Sequence, residues 1–330
     1  MTRAPASSQV PYLFRKVLGP RWEITTDDDR LEIRHANRGT PYEPPRRRLP
    51  WPDLLSALEQ AFAEQGVPRA ECLPLRWGRE TELTISAVQA LDPYLKQGHP
   101  IPYRRGFLPQ PVVRFTGQRN ADGSLRDGFL TSFVNVSRVE PVSDSSAYAT
   151  VLDEWLTVLS RLGLHARHIS VHGRLNVWRR RQVQGITLRF RHVDLPLGDI
   201  VLLWNTDHPE ALAVDLGTAV ERLAWARSRA PWHELVFGRA SAVAPFAVLD
   251  SLRAATLLIG NGIKPSARGV GSITRRLLTK VPASASPLGF GNMIRVCHEY
   301  WSVVEPLQVA WPDVTRILEA EVFGRDSCSY

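Results

Sequence analysis

Long apolar runs are missing from this chain of 330 residues, and sulfur is scarce, with three Cys and two Met. No stretch reaches the ~18 consecutive apolar residues that a membrane-spanning helix needs. The opening residues, Met1 to Gln9, lack the apolar core of a secretory signal. Cys72, Cys297 and Cys328 form no CxxC pair, which argues against a disulfide framework and against a thiolate zinc site. The expectation is a protein of the cytoplasm without a membrane partner. Disorder and low complexity are excluded too, because 44% of the residues are hydrophobic, 22% are charged, and the 25 Pro are scattered among periodic apolar segments.

Positive charge is what the chain has in excess: 41 Lys and Arg against 33 Asp and Glu leave +8. The arginines come in short groups at 46–48, 104–105, 179–181 and 275–276. Such spacing admits phosphate-bearing partners without the massed basic tail of many nucleic-acid binders. The length suits two domains.

Periodicity predicts the organisation. Strand-like fragments at 22–25 and 31–34 are followed by a stretch crowded with proline and arginine at 41–50, so residues 1–48 read as an N-terminal extension ending in a linker. Pro52 opens a helical pattern of Leu54, Leu55, Leu58 and Phe62 that Gly66 stops. A second helix is expected over 147–162, with Val151, Leu152, Trp155, Leu159 and Leu162 on one face and Gly163 as its cap. Strand-like runs lie at 111–115, 129–136, 168–172, 186–191, 199–204 and 211–214. Beyond residue 231 only helical patterns remain, at 246–259, 270–278, 292–304 and 311–323. The fold class is α+β: a domain over 49–230 built on an antiparallel sheet flanked by helices, followed by an all-helical domain over 231–330.

The string from Val214 reads as an apolar strand ending on Asp215, a turn at Gly217, and a helix carrying Glu221 and Arg222. A carboxylate at a strand end and a guanidinium one helical turn onward suit an ammonium and a polyphosphate, because arginine grips phosphate oxygens bidentately. A salt-bridged strand-to-helix corner would have the same string. His165, His168 and His172 suggest a metal set at first sight. If 168–172 is a strand, however, His168 and His172 stand ~13 Å apart on one face, too far to share an ion at ~2.0 Å bond lengths, so no metal ligand is assigned. Arg179 to Arg181 suit either a solvated surface or a phosphate-facing patch, and Trp155, Trp225 and Trp301 read as core.

Three further strings stand together: Asp250-Ser251-Leu252-Arg253, then Gly260-Asn261-Gly262-Ile263-Lys264-Pro265-Ser266, then Gly271-Ser272-Ile273-Thr274-Arg275-Arg276. This succession resembles the helical domain of alanyl-tRNA synthetases, in which an Asp-x-x-Arg helix leads to a Gly-Val-x-Pro-Ser turn and an Arg-Gly-Tyr-x-x-Arg-Arg helix. In its light the Asp215 to Arg222 string resembles motif 3 of the class II synthetases, Val-Asp-x-Gly-x-x-x-Glu-Arg. Gln110-Pro111-Val112-Val113-Arg114 looks like the start of motif 2, with 117–128 as its loop and Thr131-Ser132-Phe133 as its return strand. Asn176-Val177-Trp178 is similar to the family's Asn-Phe-Trp, and Asp199-Ile200-Val201 stands where the family has Asn-Ile-Val. Residues 54–66 and 82–98 resemble the opening helix and motif 1. The resemblance covers about residues 50–330.

The resemblance implies activation of a small amino acid, alanine in that family, with ATP and Mg²⁺. It places Arg114 on the α-phosphate and Arg222 on the γ-phosphate, Phe133 against adenine, and Gly217 beside the nucleotide. Asp215 would hold the substrate ammonium, and Trp178, Val201 and Asp199 would line the amino-acid pocket. The departures bear on the second step. Val134 stands near the position of an acid in the motif 2 return strand, Ala267 where an Asn follows the Pro-Ser turn, and Val270-Gly271-Ser272 where the family has Arg-Gly-Tyr. Nothing matches the family's editing or C-terminal domain. Because the last two of these positions lie where that family grips the tRNA acceptor stem, and no editing domain is matched, the expected acceptor is a small molecule or nucleoside of specialised metabolism. Transfer to tRNA-Ala, use of aminoacyl-tRNA as donor, and a silent nucleotide- or RNA-binding paralogue stand as alternatives.

Overall fold

The computed structural model describes residues 7–38, 46–99, 106–282 and 289–324. Arg104, Arg105, Cys328 and residues 41–45 of the proline-rich stretch lie outside the described residues. The chain divides into two compact units: Met1–Glu71 with Ala87–Pro109 and Asn135–Arg229, and Cys72–Ser86 with Gln110–Val134 and Ala230–Tyr330.

The architecture is α+β with a large antiparallel sheet and ten helices among the described residues. In chain order the first elements are α1 (Val10–Leu18), β1 (Trp22–Asp27), β2 (Arg30–His35), α2 (Trp51–Ala63) and α3 (Asp92–Gln97). There follow β3 (Leu108–Val113), β4 (Ser132–Val142), α4 (Ser146–Arg161), β5 (Ile169–Arg174), β6 (Trp178–Arg180), β7 (Val183–His192), β8 (Leu195–Asn205), β9 (Leu212–Ala219) and α5 (Val220–Ser228). The rest is helical: α6 (Trp232–Phe237), α7 (Phe246–Gly260), α8 (Gly271–Leu278), α9 (Phe290–Val304) and α10 (Trp311–Phe323). Strand order is β1-β2-β5-β7-β8-β9-β4-β3, with β6 paired to β7.

In the first unit, alternation along β7 and β8 sends Ile186, Leu188, Phe190, Ile200 and Leu202 into a core beneath α4. Tyr148 and Trp155 of α4 reach that core: the Tyr148 hydroxyl donates to the carbonyls of Ile186 (3.2 Å) and Ile200 (3.0 Å), and Trp155 packs on Phe190 with ring centroids 5.7 Å apart. The opposite face carries Thr187, Arg189, Asp199, Val201, Asp215 and Gly217. In the second unit α7, α8, α9 and α10 close around Leu252, Ile259, Leu278, Phe290, Ile294, Val314 and Leu318.

Three expectations are corrected. Residues 7–35 are no extension, since α1 packs on α4 through Phe14 and Tyr148 and β2 pairs with β5, extending the sheet. β9 neither ends at Asp215 nor turns at Gly217. It runs to Ala219 because both its edges are hydrogen-bonded, to β8 and to β4, and that ladder overrides the turn preference of glycine. His168 closes a 3-10 turn instead of opening a strand with His172, the turn being tightened by the His165 ring, which accepts the Arg167 N–H at 3.2 Å.

Candidate functional site

Five of the residues singled out from the sequence share one surface of the first unit. Asp215 faces Val201 across β9 and β8, and Val201 faces Thr187 across β8 and β7. One row along, Gly217 faces Asp199 on one side and Ser137 on the other. Directly paired residues project to the same side of a sheet, so Asp199, Val201, Asp215 and Gly217 all lie on the face turned away from α4.

Gly217 forms a floor. A Cβ placed there would lie 3.7 Å from Asp199 Oδ1 and 3.8 Å from Asn135 Nδ2, so a carboxylate and an amide stand over the bare backbone. The Ser137 hydroxyl donates to Asp215 Oδ1 at 3.2 Å. Asn135 is itself fixed, donating to the Thr218 carbonyl at 3.0 Å and accepting the Ala87 N–H at 3.4 Å. The Asp199 charge is felt through the sheet: the Tyr148 hydroxyl pKa is raised well above its ordinary value, first by burial and then by Asp199. Two carboxylates beside a glycine floor present the negative charge that a small cation such as an ammonium calls for.

Trp178 supplies the wall. Its indole N–H donates to Thr187 Oγ1 at 2.9 Å, and its ring covers Gly185, where a Cβ would come within 2.6 Å of Trp178 Cζ2 and 2.9 Å of the Leu202 carbonyl. Any larger residue at 185 displaces the indole. Arg222, on α5, donates to the Leu197 carbonyl at 3.4 Å.

The second unit holds Arg114 and Phe133 together. The Arg114 backbone N–H donates to the Thr131 carbonyl at 2.7 Å, and its guanidinium lies 5.2 Å from the centroid of the Phe133 ring. Nε and Nη2 of Arg114 donate to the Ile85 carbonyl at 3.0 and 2.5 Å, which aims the side chain. Helix α7 holds the strand that carries Phe133. Buried Asp250 accepts the Thr131 N–H at 2.9 Å, and Arg253 donates to the Ser132 carbonyl at 3.3 Å while lying 4.0 and 4.5 Å from the ring centroids of Tyr300 and Trp301. Around the start of α8, Ser266, Ala267, Ser272, Arg275, Arg276 and Thr279 line an open groove of about 450 Å³.

Sequence reasoning missed Asn135, Ser137, Thr187 and Gly185. Each is an ordinary strand residue whose importance comes from register, which a single sequence does not state. A bound Mg²⁺ usually takes one or two carboxylates along with substrate phosphates. Val134 stands where the resemblance calls for an acid, and among the described residues no group of three His, Cys, Asp or Glu side chains surrounds a common point. Mg²⁺ enters the reading as the counterion of ATP. No single helix among the described residues is long and apolar enough to cross a membrane. The sequence matches no family model and no curated protein.

Proposed function

We propose that this chain is a class II synthetase-like enzyme of the cytoplasm that activates a small amino acid, alanine by resemblance, and transfers it to a small-molecule or nucleoside acceptor. The observation that carries the reading is the cradle over Gly217, where Asp215 and Asp199 sit beside the apolar wall of Val201 and Trp178. Asp215 holds the ammonium, and the wall limits the side chain to a small one. A carboxylate oxygen of the amino acid attacks the α-phosphorus of MgATP, the bond to the β-phosphate oxygen breaks, and pyrophosphate leaves. Arg114 balances charge at the α-phosphate and Arg222 at the γ-phosphate, Phe133 stacks on adenine, and Gly217 leaves room beside the nucleotide. Chemistry of this kind depends on positioning and charge compensation. In the second step an acceptor hydroxyl or amine attacks the acyl carbon, AMP leaves with the bonding pair, and the acceptor proton passes to the AMP phosphate. Amino-acid-dependent pyrophosphate exchange tests the first step. Exchange with alanine or another small amino acid supports it, and none with any amino acid overturns it.

Transfer to tRNA-Ala is the second reading, favoured by the groove at α8. Two observations weigh against it: Arg275 is engaged by Glu321 at 2.9 Å, and Arg276 lies 5.0 Å from the Phe115 ring centroid. Ala267 and Val270 add neither charge nor donor. The expected outcome is no charging of tRNA-Ala, with only weak binding lost near ~0.2 M salt. Stable aminoacylation of the tRNA 3′ end would restore the tRNA reading.

A further inference from the structure

The row that holds Asp199 and Gly217 continues outward across the same face. Asp199 faces Arg189 on β7, Arg189 faces His172 on β5, and His172 faces Glu32 on β2. In the next row Arg191 faces Ser170, which faces Arg34. Three guanidiniums therefore surround His172 with one carboxylate, and Glu32 already bonds Arg34 at 2.7 Å through Nε. Arg191 gives an N–H to the Asp194 carbonyl at 2.5 Å, and its charge also acts on the Asp194 carboxylate, which Arg229 holds more closely. Arg189 is exposed and stands opposite Asp199. His172 is held below its usual pKa by burial first, then by Arg191 and Arg189, with Glu32 opposing and Arg34 adding to the depression. The imidazole is thus neutral at pH 7, first because it is buried and then because the guanidiniums outweigh Glu32 around it.

We propose that Arg189, Arg191 and His172 form a subsite for an anionic group, of the phosphate monoester class, carried by the acceptor. Only the identification of the occupant as acceptor rests on the reading above. Trp178 covers Gly185 and bonds Thr187 on β7. Arg189 lies one same-face position farther along that strand and two strand spacings, ~10 Å, from β9, so an amino acid held at Asp215 with its side chain directed to Trp178 leaves Arg189 clear. The acceptor then carries its phosphate roughly that far from the attacking hydroxyl or amine. Arginine matches phosphate oxygens bidentately, and a neutral imidazole beside a bound phosphate gains a proton and becomes a further donor.

The test follows the His172 ring in the full chain by NMR, assigned with His172→Gln, while inorganic phosphate is added with MgATP and alanine already saturating. The subsite predicts saturable binding that moves the His172 titration midpoint upward. Arg189→Gln weakens that binding at least about tenfold, the loss of one charge-assisted contact. Arg180→Gln, which removes an exposed cation away from this row, leaves it unchanged. An unmoved midpoint, equal weakening by both substitutions, or displacement of the phosphate by ATP would overturn the proposal, the last by showing that these arginines serve ATP itself. Pyrophosphate exchange by the unmodified chain is scored separately, so failed activation and a failed subsite give different results.

Discussion

Asp215 stands opposite Val201 in the antiparallel ladder of β8 and β9, so a carboxylate and an apolar wall are one strand spacing apart on the same face. An amino acid held by its ammonium at Asp215 points its side chain along that wall. Removing one member of a buried charge pair costs ~3–5 kcal/mol. Asp215→Ala is therefore expected to reduce amino-acid-dependent exchange by a factor on the order of 10² or more, while ATP binding measured by calorimetry survives. Lost ATP binding with an unchanged KM for the amino acid would show that Asp215 serves the other ligand.

Gly185 is expected to resist substitution. Its Cβ would meet the Leu202 carbonyl as well as Trp178, and backbone cannot yield as a side chain does. Gly185→Ala should cost about 1–3 kcal/mol in denaturant unfolding and raise the KM for the amino acid more than that for ATP. Equal changes in both would mean that Trp178 is scaffolding rather than pocket wall.

Asp250 positions the strand that carries Phe133, since its carboxylate is the acceptor for the buried Thr131 N–H. Burial raises the Asp250 pKa, and the bond to Thr131 opposes that rise. Asp250→Ala leaves a buried donor unpaired and is expected to cost about 1–3 kcal/mol and to raise the KM for ATP. Asp250→Asn, whose amide oxygen accepts the same N–H, should recover most of both. No recovery would assign the effect to the charge rather than to the hydrogen bond.

His192 makes stability depend on pH. It is buried, its two ring nitrogens have no hydrogen-bond partner among the described residues, and its pKa is lowered from 6.5 to about 4, by burial first and then by Arg229 and His168. Between those values the unfolded chain binds the proton and the folded one does not, so this contribution is complete above pH 6.5 and is lost as pH falls towards 4, about 3 kcal/mol at full extent. Denaturant unfolding of His192→Leu should show a flatter dependence between pH 6.5 and 4 than the unmodified chain. Parallel curves would place the titration elsewhere.

The helices were legible because their apolar periods and punctuating residues are local: Pro52 and Gly66 bound α2, and Trp311 and Pro312 open α10. Most strands were found with displaced ends. What the sequence does not carry is register, and register makes the cradle. Asp199 meets Gly217 because β8 and β9 pair with one offset and no other, and Ser137 joins them from a strand about eighty positions earlier. The β1–β2 hairpin reads as an extension in the sequence for the same reason, since its partner β5 lies about 140 positions onward. Gly217 misled in the opposite direction, a turn-forming residue held straight by strands on both sides.

Isotope transfer tests the adenylation chemistry most directly. With alanine labelled by ¹⁸O in its carboxylate, attack on the α-phosphorus leaves one labelled oxygen bridging the acyl group and the phosphate, and acyl transfer to the acceptor then releases AMP carrying that oxygen. Mass spectrometry of the nucleotide product should find one ¹⁸O per AMP, with pyrophosphate as the co-product. Unlabelled AMP, or ADP and phosphate in place of AMP and pyrophosphate, would contradict activation through an aminoacyl-adenylate.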